Sequence, residues 1–318
     1  MIIPCGDIAR DISLDLKGRV SALAAKGKKV KLLAVLIGNE PAQHSYVRMK
    51  RNIAGSLGIG FELLHYPQAP LFEVFRSIIK ERTEQKDVSG VIVQLPLPQE
   101  YDKKALYKAI PTYKEIEGHT TESRFVFPLV QACMIGLDWV YHSRAPSNKR
   151  YVLPVVPTQG LIRWLQGQRI TIAGRGMTTG EPIASYFNSF AIPYEQTHSA
   201  TADPDSIYRQ SDIIICGVGK KILTRENIKK GVILLNFGLQ KREHRVMVRQ
   251  DHHDTDTTEI VHTKQSLVGD YDEDEISDIS SWYTITPGGL GPIDILCLYG
   301  NLIESATRNS PSRNPNDK

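Results

Sequence analysis

The sequence predicts an α/β protein of two domains, each built around a parallel sheet. Three observations carry that reading. Apolar runs of strand length alternate with helical stretches from Lys31 to Val93 and again from Arg169 to Asn236. A glycine-rich turn follows a strand directly at Gly174, and a polar stretch from Ser143 to Arg150, containing Pro146, Ser147 and Asn148, separates the two series. At 318 residues and 41% hydrophobic content, the chain can bury a sizeable core in each part.

In chain order, Ile12 to Ala25 has helical spacing of apolar residues, and Lys31 to Gly38 reads as a strand through Leu32-Leu33-Ala34-Val35-Leu36-Ile37. A helix over Ser45 to Ser56 follows, then a strand around Phe61 to Leu64, a helix near Leu71 to Gln85, and a strand at Val91-Ile92-Val93 that Pro96 and Pro98 stop. Lys103 to Ala109 predicts another helix, and Pro111 to Arg124 reads as irregular. The second series opens with the strand Arg169 to Ala173 and a helix starting near Glu181-Pro182. Further strands are expected at Ile192 to Gln196, Asp212 to Cys216, Val232 to Asn236 and near Leu267-Val268-Gly269, and helical spacing returns from Ile293 to Ala306. Arg308 to Lys318, rich in Ser, Asn and Pro, reads as a disordered tail.

Composition excludes several classes of function. A net charge of +4 is small for this length and the basic residues are scattered among acids, so no nucleic acid partner and no membrane surface are expected. No window approaches the ~20 apolar residues that span a bilayer, and Met1-Ile2-Ile3-Pro4 lacks the start of a signal peptide. Cys5, Cys133, Cys216 and Cys297 form no C-x-x-C pair, which points to a reducing, cytoplasmic setting without a metal site. His252 and His253 lie in Asp251 to Thr263, an acidic, threonine-rich segment read as an exposed loop rather than a metal ligand set.

Two places suggest chemistry. Tyr46 and Lys50 stand four apart and share a helix face, and Gln94 is the last polar side chain where its strand leaves the sheet. The plainer alternative is an amphipathic pair and a strand-end glutamine. In the second series, Gly174-Arg175-Gly176-Met177-Thr178-Thr179-Gly180 lies between a strand and a helix, the context of a phosphate-binding turn, although the spacing is G-x-G-x-x-x-G. Gly217-Val218-Gly219 supplies a second close-approach loop after a strand. A Rossmann-type domain is therefore expected. Where an NAD-preferring site would carry an acid, this chain has His198 and Ser199; with Arg175 they favour a 2′-phosphate and NADP, with NAD possible. The alternative for Arg175 is a surface salt bridge.

Four motifs taken together resemble one family. Tyr46-Val47-Arg48-Met49-Lys50 and Val93-Gln94-Leu95-Pro96-Leu97-Pro98 match its Tyr-Val-x-x-Lys helix and Val-Gln-Leu-Pro-Leu-Pro strand end. Pro154 to Gly160 looks like its Pro-Cys-Thr-Pro-x-Gly with one residue more, and Thr286-Pro287-Gly288-Gly289-Leu290-Gly291-Pro292 is close to its Val-Pro-Gly-Gly-Val-Gly-Pro. The chain thus resembles the bifunctional methylenetetrahydrofolate dehydrogenase/cyclohydrolases, in order from Lys31 to Ala306. The resemblance implies a folate-binding domain over residues 1–143, completed by a helix at 293–307, a nucleotide domain over 144–292, and a cleft between them. It also implies a homodimer, oxidation of 5,10-methylenetetrahydrofolate with NADP, and hydrolysis of the methenyl product.

In that frame Lys50 is the acid/base, Gln94 its orienting partner, and Tyr46 packs on the folate ring, with Leu95, Pro96, Gly288, Gly289 and Pro292 around the substrate. Gly174, Arg175, Gly176, Thr179, Gly180, His198, Ser199, Gly217, Val218 and Gly219 are the expected cofactor contacts, Gly176 standing where the family has a phosphate-binding Ser. Glu117 aligns with the Asp that grips the pterin, and Asp294 stands where the family has Thr. Thr120 to Val130 lacks the family's Pro-x-Asn-x-Gly-x-Leu pattern. These departures leave two further readings open: a divergent paralogue with one activity or another pterin or one-carbon adduct, and a non-catalytic pterin- or nucleotide-binding protein.

Overall fold

Lys31–Ile37 (β1) forms the middle strand of the first sheet because an uninterrupted apolar run can be covered on both faces. The computed structural model describes residues 1–120, 122–143, 150–251 and 257–308. They divide into two units: Gly6–Ile135, Ser147–Val156 and Pro292–Lys318 form one, and Met1–Cys5, Gly136–Pro146 and Pro157–Gly291 the other. Residues 144–149 of the predicted boundary stretch Ser143 to Arg150 and 309–318 of the predicted tail lie outside the described residues, while Arg308, expected in the tail, ends a helix.

Helix α1 (Cys5–Ala25) precedes β1; α2 (Pro41–Leu57), β2 (Gly60–Tyr66), α3 (Phe72–Glu84) and β3 (Gly90–Val93) follow. The sheet is parallel in the order β2-β1-β3. Leu33, Val35, Val91 and Val93 pack against Phe75 and Ile79 of α3 and against Leu106 of α4 (Lys103–Lys108). Burial of each such side chain contributes about 1.5–3 kcal/mol. Pro41 sits in the first turn of α2, and the left-handed Gly58 (φ 78°) ends the helix with its N–H on Ala54 and Gly55 carbonyls. The helix thus starts four residues before the expected Ser45. The irregular segment after α4 runs beside β3: Val91 N donates to Lys114 O at 2.9 Å in a single parallel bridge between Val91 and Glu115. Helix α5 (Pro128–His142), which begins at the end of the stretch that lacks the family pattern, was not anticipated.

After α6 (Gln159–Gln166), the second sheet takes in β4 (Ile170–Ala173), then α7 (Gly180–Ser189), β5 (Glu195–Thr197), α8 (Pro204–Gln210), β6 (Ile213–Cys216) and β7 (Ile233–Asn236). Strands β8 (Gln240–Asp251) and β9 (Thr257–Val268), helix α9 (Glu273–Ile276) and β10 (Trp282–Tyr283) follow, and α10 (Leu290–Arg308) closes the described chain. The sheet order is β10-β7-β6-β4-β5, all parallel. Ile214, Cys216, Leu234, Tyr271 and Ile276 fill one face. The two-residue β10 is too short for a sequence signal, and its edge is extended by Ile3 N donating to Tyr283 O at 2.9 Å.

One expectation is overturned. The strand predicted near Leu267 belongs to a long antiparallel hairpin, β8 with β9, and residues 257–263 of the supposed exposed loop are strand. Threonine and β-branched residues favour pairing there, whereas the polar composition had suggested a loop. His252 and His253 lie outside the described residues. Among the described residues no helix is long and apolar enough to cross a membrane, and no cluster of three His, Cys, Asp or Glu side chains could hold a metal.

Candidate active site

Helix α2 and the end of β3 bring the first set of predicted residues together. Lys50 Nζ donates to Gln94 Oε1 at 3.1 Å. The Gln94 amide nitrogen donates to Leu95 O at 3.1 Å, which turns its oxygen toward the lysine, and Gln94 N is tied to Val35 O at 2.8 Å. Tyr46 stands one helical turn before Lys50 and is 41% exposed as a residue, accessible to a ligand. Burial, with Asp294 adding to it, raises the Tyr46 phenol above its ordinary value. Sequence reasoning missed two supports. Buried Gln43 donates to Pro96 O at 3.1 Å, and Tyr299 of α10 donates to Lys50 O at 2.6 Å. Gln43 could have been found, because it precedes Tyr46 by three and Lys50 by seven on the same helical stripe.

The single bridge beside β3 places Glu117 near Gln94, two residues beyond the Val91–Glu115 pairing. Glu117 Oε1 lies 4.0 Å from Lys50 Nζ, and Oε2 lies 3.6 Å from His119 Nε2. Behind them the buried Glu115 carboxylate accepts the backbone N–H groups of Glu117, Gly118 and His119 at 3.0, 3.1 and 3.0 Å. Burial works to raise Glu117, but His119 and Lys50 hold its carboxyl below the ordinary value. Burial works to lower His119; Glu117 and then Glu115 outweigh it and raise the imidazole.

Asp294 lies on the stripe of α10 that continues through Asn301 and Ser305. Asn301 Nδ2 donates to Ile116 O at 2.9 Å and the Ser305 hydroxyl to Tyr113 O at 2.5 Å, so that stripe follows the Tyr113 to Glu117 segment. Burial, opposed by Lys50 and aided by Glu117, pushes the Asp294 carboxyl up to about 7. The family resemblance had marked Asp294 as a departure; its carboxyl acts electrostatically on Tyr46 and is itself acted on by Lys50 and Glu117.

In the other unit, the predicted phosphate turn follows β4 directly. Gly174 has φ 104° and donates to Thr197 O at 2.8 Å. A Cβ on Gly180 would run into the Gly174 carbonyl, and one on Gly217 into Thr179, so both glycines allow close backbone packing. Nothing lies within 4 Å of the Cβ position of Gly176. A hollow of about 310 Å³ is lined by Arg175, by Glu181, Ala184, Ser185 and Asn188 along one side of α7, and by Gln196 of β5. Positive φ, the α7 N-terminus and Arg175 beside an open hollow fit a dinucleotide phosphate.

His198 and Ser199 stand at the end of β5 as expected, but the His198 Nδ1 accepts Ala200 N at 3.1 Å, which leaves Nε2 as the ring donor. The Gly217-Val218-Gly219 loop is occupied from within. Val218, Gly219 and Lys220 amides donate to Asp270 at 2.7, 2.8 and 3.2 Å, leaving the half-exposed Val218 side chain as what this loop can offer a ligand. Asp270 had no sequence signal because it lies 51 residues beyond Gly219. Gly288 (φ 95°) and Gly289, whose Cβ would meet Ile285 O, form the tight turn before α10; Pro292 lies in its first turn. Leu95 is half-buried and Pro96 exposed at the end of β3.

Comparison with known proteins agrees with this geometry. The family model described as tetrahydrofolate dehydrogenase/cyclohydrolase, catalytic domain, matches residues 3–117, and that of the NAD(P)-binding domain matches residues 159–310. A relative in Exiguobacterium sp. called bifunctional protein FolD is 30% identical over 309 residues, covering 97% of this chain and 99% of its own. One from Geobacillus kaustophilus is 29% identical over 306 residues, 96% of each. Among solved structures, the Campylobacter jejuni bifunctional enzyme superposes with a TM-score of 0.77 at 24% identity, covering 98% and 99% of the two chains. The Trypanosoma brucei enzyme, solved with NADP and an inhibitor, gives 0.72 at 24% identity over 95% of each.

Proposed function

Since this chain belongs to the tetrahydrofolate dehydrogenase/cyclohydrolase family, we propose that it oxidises 5,10-methylenetetrahydrofolate to the 5,10-methenyl form with NADP and hydrolyses that to 10-formyltetrahydrofolate. The observation that carries the reading is the Lys50–Gln94 contact at 3.1 Å beneath the exposed Tyr46 ring, in the unit matched by the catalytic-domain model.

Each residue has a task. Tyr46 packs on the pterin-bearing part of the ligand, and Glu117 accepts its ring and amino N–H groups. Glu117 is suited to that because its Oε2 is buried and accepts no hydrogen bond within the described protein. Lys50 exchanges protons with the water that adds to the methenyl carbon and with the nitrogen released as the ring opens. Addition of water to the cation and opening of the ring give the formyl product and one proton. Gln94 orients the lysine through a neutral amide, adding no charge that would lock the ammonium in an ion pair. Gly174, Arg175, Thr179 and Gly180 hold the dinucleotide, whose nicotinamide supplies hydride acceptance when bound.

Asp294 favours a second reading, a divergent enzyme that keeps one activity or takes another pterin, because it adds a half-buried acid that interacts electrostatically with Lys50. A purely binding role finds no support in a lysine oriented by its own glutamine. A homodimer and a cytoplasmic location accompany the main reading, the latter supported by four free, buried cysteines, and no nucleic acid partner is proposed. The test is an assay of the purified protein with 5,10-methylenetetrahydrofolate and NADP or NAD, following reduced nicotinamide and methenyl absorbance together. Reduction with little methenyl build-up supports both activities. Persistent methenyl leaves only the dehydrogenase, and silence in folded protein rejects the reading.

A further inference from the structure

Glu117 has two neighbours that draw its carboxylate in opposite directions, Lys50 at 4.0 Å from one oxygen and His119 at 3.6 Å from the other. The three side chains are 13%, 16% and 10% exposed, so water screens little of either attraction. The histidine is held from several sides. The Tyr107 ring lies 4.4 Å from it at a shallow angle, the Phe127 ring 5.2 Å away edge-on, and the backbone N–H of His119 donates to Glu115 at 3.0 Å. Such an imidazole cannot follow a moving carboxylate, whereas a glutamate with three rotatable bonds can move to either neighbour.

An unopposed Glu117 would close on the ammonium and compete with Gln94 for it. We propose that His119 is a positioning residue, a tether that keeps the Glu117 carboxylate off Lys50 and leaves the lysine to Gln94. This rests on the reading of Lys50 as the acid/base of the hydrolytic step. The other ionisable groups facing the cluster are Glu115 on the same loop, Tyr107 from α4, Tyr46 from α2 and Asp294 from α10. Of the carboxylates, Glu117 is the one with an oxygen 4.0 Å from Lys50 Nζ, whereas Glu115 is turned to the backbone N–H groups of its own loop, so Glu117 is the charge that must be kept from the lysine.

The decisive experiment is a pair of substitutions in two backgrounds. His119→Phe preserves a ring between Tyr107 and Phe127 and removes the tether; His119→Asn serves if the first variant fails to fold. With Glu117 present, hydrolysis of 5,10-methenyltetrahydrofolate should fall by more than about tenfold in kcat, with the basic limb of its pH profile moved upward. In the Glu117→Asp background, where the carboxylate is one methylene short of the lysine, the same change should cost less than about threefold. Equal losses in the two backgrounds would overturn the proposal. A second readout needs no turnover. The His119 imidazole, titrated by NMR, should give a midpoint that falls on Glu117→Gln; an unchanged midpoint removes the tether. If the titration behaves as expected while the wild-type protein leaves the folates untouched, the functional reading fails and the tether stands.

Discussion

The end of β3 and the end of β4 are both loops at the carboxyl ends of parallel strands, yet they build their sites from different materials. At β4 the work falls to backbone: Gly174 and Gly180 bring strand and helix together over a few residues, and the proposed cofactor contacts are amide groups and one arginine. At β3 it falls to side chains. Lys50, Gln94, Glu117, His119 and Asp294 come from α2, the strand end, a loop and α10, and each depends on the charge of the others. A backbone site tolerates loss of one side chain with a graded cost. A site of coupled charges does not.

The sharpest test of this contrast is Lys50→Met, which should reduce methenyl hydrolysis by about 10²–10⁴-fold while some hydride transfer survives, measured by following the two absorbances separately. Equal survival of both activities would remove Lys50 from its role. On the backbone side, Arg175→Ala should weaken NADP by about 1.5–3 kcal/mol, roughly ten- to a hundredfold in Kd, and leave NAD within about threefold, read by titration of cofactor binding. Similar losses for NADP and NAD would place Arg175 away from the 2′-phosphate. Gly180→Ala should cost about 1–3 kcal/mol in urea unfolding through its collision with the Gly174 carbonyl, along with weaker nucleotide binding.

The smallest effect concerns pH. The Asp294 carboxyl is pushed up to about 7 in the folded protein by burial, against about 3.9 in an unfolded chain. Between those values the folded state holds the extra proton, so this group's contribution to stability is largest below about pH 4 and is lost as the pH rises toward 7. Asp294→Asn should flatten that decline, by about 1–2 kcal/mol after allowance for partial solvent access, in urea midpoints compared at acidic and neutral pH. An unchanged slope would mean that Asp294 ionises as freely as in water.

The difference between the two loops also explains how far each could be read. The β4 turn was legible because close approach of backbone demands glycine at short spacings, and such demands are written within seven residues. The Lys50–Gln94 pair was legible only with the family resemblance, since helix periodicity and a strand stop fit an amphipathic pair and a strand-end glutamine as well, while Gln43 and Tyr299 escaped because their work is to hold neighbours in place. The Gly217-Val218-Gly219 loop read as a second close-approach loop, and the distant Asp270 turned out to occupy the amides of Val218, Gly219 and Lys220. The pairing of residues 240–251 with 257–268 was hidden by a polar composition common to loops and solvated strands.

By itself the sequence determined the alternation of strands and helices, the placement of two sheets and the glycine turn, because periodicity and φ requirements act between neighbours in the chain. Only the tertiary structure decided which way Glu117 leans, which proton Asp294 keeps and whose carboxylate fills the Gly217 loop. Those are outcomes of burial and charge among residues far apart in sequence, and Coulomb attraction in a dry pocket depends on distances that no local pattern encodes.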